Sequence, residues 1–447
     1  MTRPSSSTRS IAASAALAVP VLWIVPFARS GARGLVGAVV VLGGLVLAAA
    51  VSRRRRMLLP VVLAVAGAVA WRTTGDQALT VAHLVVVWAT WRAVGGHRIA
   101  RVVLANVTVL LVGLAIVDAT AWAVRRDDVP VVPEPYRDSP YYGEEFRAER
   151  KEFSDLVETG RGTVERSIGG VLVRTNADYA GRYITIVDGR RVTPGGPATG
   201  PRILLFGGST ILDAEVPDAY TVAAQLQTLV GDAYRVENYG VSGASLGANV
   251  DWMAHADLGE GDVVVTLSGV NNVGGVADRG ARFGWLYGVL DAPRFEPARR
   301  RLWTVSTLHG LANAPVYGRD ASAVAEAVTT YERDLGAAAR TASSVGARYL
   351  NALQPHLWTT RGAALTDSER RLSDSWGTTF RGVVEEAYAA LAVVATGRPD
   401  AVDLRGTFDE KRTAIFFDWH HVNEEGNRML AGAIHAELAR RGWLADE

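Results

Sequence analysis

From residue 201 to the end, short apolar runs alternate with longer amphipathic stretches, and this alternation constrains the fold more than any other feature of the chain. Strands are expected at 203–207, 234–239, 262–268, 347–353 and 401–404, with helices at 219–230, 246–258, 320–345, 378–396 and 423–441. Strands that arrive singly, each followed by a helix, do not close as hairpins. They pair in parallel through helical crossovers, and the helices cover both faces of the sheet. The expected class is therefore α/β: a three-layer α/β/α domain on a parallel sheet, with any site at the carboxyl ends of the strands.

The amino-terminal part obeys other rules. The 447-residue chain is 49% hydrophobic, and the excess lies in residues 1–126, whose only carboxylates are Asp76 and Asp118. Apolar segments at about 11–28, 34–52, 57–71, 78–91 and 102–124 predict an α-helical transmembrane region. The third and fourth are short for a full span, so the region holds five helices or three full spans. Both counts are odd, which places the two ends of the region on opposite sides. Arg3, Arg9, Arg53 to Arg56, Arg92, Arg98 and Arg101 outnumber Arg29, Arg33, Arg72, Arg125 and Arg126. The amino terminus is accordingly expected in the cytoplasm and residues 127–447 outside it. A signal peptide over 1–32 would leave the later topology unchanged.

With 47 basic and 46 acidic residues, the chain has no polybasic face for nucleic acid. It has no cysteine, which excludes disulfides, thiolate metal sites and a Cys nucleophile. Its only lysines are Lys151 and Lys411. Residues 127–200 are expected to form a linker and a β-containing lead-in, with Arg125 to Ser139 extended, a charged helix over 141–160, and strands over 169–192. The α/β domain is expected over 201–447. Within it, 274–318 reads as an insertion or lid whose Trp285, Tyr287 and Trp303 are candidate substrate contacts.

Four motifs fall after predicted strands. Ile203-Leu-Leu-Phe-Gly-Gly-Ser-Thr210 presents Ser209, and Asn238-Tyr-Gly-Val-Ser-Gly243 presents Gly243. Leu267-Ser-Gly-Val-Asn-Asn272 presents Asn271, and Phe417-Asp-Trp-His-His-Val-Asn423 presents Asp418 and His421. In a tight turn Asp418 and His421 lie on one side, so a carboxylate orients an imidazole whose other nitrogen reaches a serine. His420 is expected to point elsewhere. Neither a histidine pair at i, i+4 nor a second ligand cluster is present, so no metal is expected. Gly243 and Asn271 offer the N–H donors that a developing oxyanion needs.

In these four blocks the chain resembles the SGNH, or GDSL-type, hydrolase superfamily over about 201–447. The resemblance implies a flavodoxin-like SGNH domain with Ser209 as nucleophile, His421 as base and Asp418 as its orienter. It also implies an oxyanion hole built from the Ser209 N–H, Gly243 and Asn271, and no cofactor. Two departures are Gly-Gly-Ser in place of Gly-Asp-Ser and Asn-Asn in place of Asn-Asp. Gln354-Pro355 and Asn423-Glu-Glu-Gly-Asn427 are similar to bacterial members associated with surface polysaccharides.

The expectation is a membrane-anchored, extracytoplasmic serine esterase or acyltransferase, partnered by the lipid bilayer and an acylated glycan or glycolipid. A lipid esterase or thioesterase, and a catalytically silent glycan-binding assembly factor, are the alternatives. The oligomeric state is not legible.

Overall fold

The computed structural model describes residues 132–168, 170–281, 290–291 and 303–444. The five apolar segments, Trp285 and Tyr287 lie outside them. Among the described residues no helix is long and apolar enough to cross a membrane. The chain divides into two compact units, one of residues 131–279 with 317–447 and the other of 1–130 with 280–316.

The first unit begins with α1 (Glu144–Glu158), followed by β1 (Thr163–Ile168), β2 (Val171–Asn176), β3 (Tyr179–Ala180), β4 (Thr185–Val187) and β5 (Arg190–Arg191). The expected alternation then starts: β6 (Arg202–Gly207), α2 (Ser209–Leu212), α3 (Val222–Val230), β7 (Arg235–Gly240), α4 (Leu246–Met253), β8 (Val263–Ser268) and α5 (Val270–Val273). The interval 274–318 carries β9 (Asp278–Ala281), α6 (Trp303–Asn313) and β10 (Pro315–Tyr317), with β9 and β10 paired. Then come α7 (Ala321–Ser343), β11 (Arg348–Leu353), α8 (Asp367–Ser375), α9 (Thr378–Thr396), β12 (Ala401–Asp403) and α10 (Glu424–Arg440).

The result is a mixed α/β fold on a largely parallel sheet, ordered β12-β11-β8-β6-β7-β5-β4-β3. The five strands from β12 to β7 are parallel neighbours. Counted along the chain, those five run 2-1-3-4-5, the flavodoxin-like order, whose switch point lies between the first and third strands. That places the crevice between β6 and β8, the strands that deliver Ser209 and Asn271.

Alternation along β6 builds a core on each face. Ile203 and Leu205 pack with Leu226 of α3, Leu391 of α9 and Leu430 of α10. Leu204 and Phe206 pack with Trp252 of α4 and Ala338 of α7. All four strand residues are fully buried, and each contributes roughly 1.5–3 kcal/mol of burial energy. Polar caps set the helix starts: Thr221 accepts from the Ala224 N–H, Asp320 from Ser322 and Ala323, and Asn423 from Gly426.

The expected helix 246–258 stops at Met253. There the His255 and Ala256 N–H groups both turn back to the Trp252 carbonyl, at 3.0 and 2.8 Å. The larger correction concerns the lead-in. Residues 132–139 do not run as an extended spacer: Glu134–Tyr136 forms a 3-10 turn, and Tyr136 is buried between Tyr142 and Phe417, with ring centroids at 4.1 and 4.3 Å. The aromatic residues drive this segment onto the domain. β5, β4 and β3 then extend the main sheet, joined to it antiparallel at Arg191 and Asn238.

Candidate active site

Ser209 opens the four-residue helix α2 directly after β6, partly exposed, at the carboxyl edge of the sheet. Asp213 ends that helix in the left-handed conformation, φ 59°. Asn271 lies in α5 after β8, and its Nδ2 donates to the Ala244 carbonyl at 3.0 Å. This bond ties the third block to the turn that holds Gly243, whose φ of +73° demands glycine and whose Cβ position is open space.

A second glycine explains the departure in the first block. A Cβ at position 208 would lie 2.0 Å from Asn271 Nδ2, so the asparagine amide occupies the room that a side chain would need. Gly-Gly-Ser is thus matched to the close approach of Asn271. The neighbouring Asn272 is also partly buried, and its Oδ1 meets no donor among the described residues.

Asp418 and His421 sit in a tight turn between buried Phe416 and Val422, which are bridged to each other. The backbone N–H groups of His420 and His421 both donate to Asp418 Oδ1 at 2.8 Å, and His421 Nδ1 lies 2.6 Å from Oδ2. Nε2 of His421 forms no hydrogen bond among the described residues. His420 does not point away as expected: its Nδ1 lies 3.3 Å from Asp418 Oδ1, without hydrogen-bond alignment. Its ring packs between Trp419 and His421, at 4.6 and 3.9 Å.

Burial works to raise the Asp418 carboxyl, but His420 and the hydrogen bond from His421 outweigh it and hold Asp418 well below the usual carboxylate range. Burial works to lower His421, but the Asp418 bond and the charges of Asp418, Glu215 and Asp213 outweigh it and raise His421 above the ordinary value. Asp213 is raised well above the carboxylate range by burial, against the pull of Arg191 and His421. His421 therefore lies within electrostatic reach of two residues on the loop that follows Ser209. Asn427 of α10 closes the same gap, donating to Asp213 Oδ2 and, at 3.0 Å, to the Tyr220 carbonyl. Ser209 Oγ forms no hydrogen bond among the described residues.

Sequence reasoning missed several supports. Gln354, after β11, donates to Thr210 Oγ1 at 2.7 Å and braces the residue beside Ser209. The fully buried Arg191 of β5 donates to the carbonyls of Leu212 (2.7 Å), Asp213 and Val216 (2.6 Å), and its Nε reaches Asp218 at 2.9 Å. A strand dipeptide Arg-Arg carries no signal that one guanidinium turns inward to hold a loop. Trp303 opens α6 in the other unit.

Asp418, His420 and His421 also bring ligand atoms within 4.8 Å of one another, a grouping that a divalent cation would accept. The 2.6 Å contact of Asp418 with His421 suits a hydrogen bond. Chelator treatment is expected to leave turnover unchanged; a loss restored by added metal would reverse that assignment.

Two imidazoles near the site predict acid lability. His356, fully buried against Tyr388, and His420 are both held down to about 3, chiefly by burial. Between that value and the ordinary 6.5 the unfolded chain binds protons that the folded chain refuses, so stability falls as pH falls through this window. His421, shifted the other way, loses its contribution as pH rises through its raised value. Melting followed by tryptophan fluorescence should show a falling midpoint from pH 6.5 downward, with a shallower slope in His356→Phe.

No protein-family model matches the sequence, and no curated protein matches it. Among solved structures, the chain is similar to LAE5, an alpha/beta hydrolase enzyme from the metagenome of Lake Arreo, at 18% identity over 56% of this chain and 99% of that one, with a TM-score of 0.32. It is similar to Est24, a carbohydrate acetylesterase from Sinorhizobium meliloti, at 13% identity over 54% and 99%, with a TM-score of 0.32. A GDSL-like lipase from Bacteroides thetaiotaomicron shows 11% identity over 54% and 88%, with a TM-score of 0.28. At these values no inference about activity follows, and the reading rests on the site itself.

Proposed function

We propose that this chain is an SGNH-type serine esterase or acyltransferase, anchored in the membrane, whose domain acts outside the cytoplasm on O-acyl groups of envelope glycans or glycolipids. The observation that carries the chemistry is the 2.6 Å contact between Asp418 Oδ2 and His421 Nδ1, on the turn that enters α10, whose Asn427 donates to Asp213 on the loop after Ser209. His421 Nε2 takes the Ser209 proton as Oγ attacks the acyl carbonyl. The tetrahedral oxyanion is met by the N–H groups of Ser209 and Gly243 and by the second amide hydrogen of Asn271, the first being engaged with Ala244. Collapse breaks the ester bond, and His421 returns the proton to the leaving alcohol. Water or a sugar hydroxyl then attacks the acyl-enzyme by the same route.

The full-length protein in detergent, given p-nitrophenyl acetate, an O-acetylated glycan and a phospholipid, tests the substrate class. Release of acetate from the glycan, or its transfer to a second sugar, supports the reading; release of fatty acid alone favours a lipid esterase. A reporter fused after Glu447 is expected to be active only outside the cytoplasm, as the arginine asymmetry requires. Cytoplasmic activity would remove surface glycans from the substrates.

Asn271→Ala is expected to lower kcat by on the order of 10² to 10³ with little change in KM, because it donates mainly to transition-state charge. Asn272→Ala is the control. Equal losses in kcat at both positions would reassign the third block.

A further inference from the structure

Two loops must be held in register for the proposed chemistry: residues 213–220 after Ser209, and residues 417–424 around His421. Asn427, at the start of α10, ties the first loop to the helix that follows the second. The second connection comes from the segment before the sheet. Tyr136 Oη donates to the Glu215 carbonyl at 2.7 Å and lies 3.1 Å from Glu215 Oε2, which also receives Arg150 Nε at 2.5 Å. These contacts hold the serine side. On the histidine side, the Pro135 carbonyl accepts from Asn423 Nδ2 at 2.8 Å, and Tyr141 Oη donates to Glu424 Oε2 at 2.7 Å, where Ser139 Oγ holds the other carboxylate oxygen. The Tyr136 ring lies on Phe417, the residue before Asp418, and the Tyr141 ring lies 4.9 Å from Tyr220.

We propose that residues 133–150 form a strap that sets the distance between His421 and Ser209, with Tyr136 and Tyr141 as its positioning residues. The inference rests on the proposed roles of Ser209 and His421. Tyr136 and Tyr141 each touch both loops, so the two loops cannot move apart without breaking contacts at both tyrosines. A purely structural segment has no need to grip both. Displacement of a catalytic group by about 1 Å costs roughly 10²-fold in rate, and losing two hydroxyl anchors while keeping the rings is expected to shift it less.

The test is Tyr136→Phe combined with Tyr141→Phe in the full-length chain, assayed on p-nitrophenyl acetate. Turnover is expected to fall about tenfold with KM unchanged. The same pair of changes in a His421→Ala background is expected to cause no further loss, because an effect that acts through the base disappears with it. Ser139→Ala with Tyr141→Phe, both at part-exposed positions, gives a milder pair should the first fail to fold. Unchanged turnover, or the same relative loss with and without His421, overturns the strap. Ser209→Ala separates the two failures: if it keeps turnover, the esterase reading is wrong and the strap falls with it. If it is inactive while the tyrosine variants match the wild type, only the strap falls.

Discussion

Replacing His421 with alanine is expected to lower kcat by on the order of 10⁴ to 10⁶, and Ser209→Ala by a similar factor, because nucleophile and base act as one unit. His420→Ala is expected to keep most of the activity. The neighbouring imidazoles share a carboxylate, yet only His421 donates a 2.6 Å side-chain bond to it, while His420 packs on Trp419 and lacks hydrogen-bond alignment. The pH profile supplies an independent check. A base works in its neutral form, so kcat/KM should fall as pH drops through the His421 value, which lies above that of an ordinary histidine. Asp418→Asn removes the bond that raises it, and the acid limb should move to lower pH as turnover drops. Equal losses at His420 and His421, or an acid limb unmoved by Asp418→Asn, would break the assignment.

The alternating elements were legible because buried strands and amphipathic helices carry different periods. The pairing of Asp418 with His421 was legible from spacing alone, since a tight turn brings i and i+3 together. The lead-in was not. Its prolines and aspartates read as a spacer, and nothing local shows that Tyr136 and Tyr141 find Glu215 and Glu424, which lie 79 and 283 residues away. The orientation of Arg191 was hidden for the same reason: a buried arginine is defined by the carbonyls around it, and those belong to a loop of another element. His420 was misjudged because spacing describes Cα positions, whereas Asp418 Oδ1 accepts two backbone N–H groups and so turns the carboxylate toward both histidines.

Lys411→Met is expected to be strongly destabilising. Lys411 and Glu369 are fully buried, and the ammonium places its three donors on Glu369 Oε2, the Ala364 carbonyl at 3.0 Å and the Thr413 carbonyl at 3.1 Å. The other Glu369 oxygen accepts from the Ile415 N–H at 2.9 Å and the Phe416 N–H at 3.3 Å, just ahead of Asp418. Removing the cation alone leaves a carboxylate in the interior without its partner, which costs about 3–5 kcal/mol. For a domain of this size that corresponds to a fall of roughly 6–20 °C in Tm. Lys411→Arg is not expected to rescue it, because a planar fork cannot reproduce three converging bonds from one nitrogen in a closed site. Adding Glu369→Gln to Lys411→Met should recover part of the loss, since the amide oxygen still accepts from the backbone and the stranded charge is gone. Melting of the three variants checks this. A double variant as unstable as the sum of its parts would show that the pair is not coupled, and a Lys411→Met protein with wild-type Tm would show that the ammonium contributes nothing to holding the turn of Asp418 and His421.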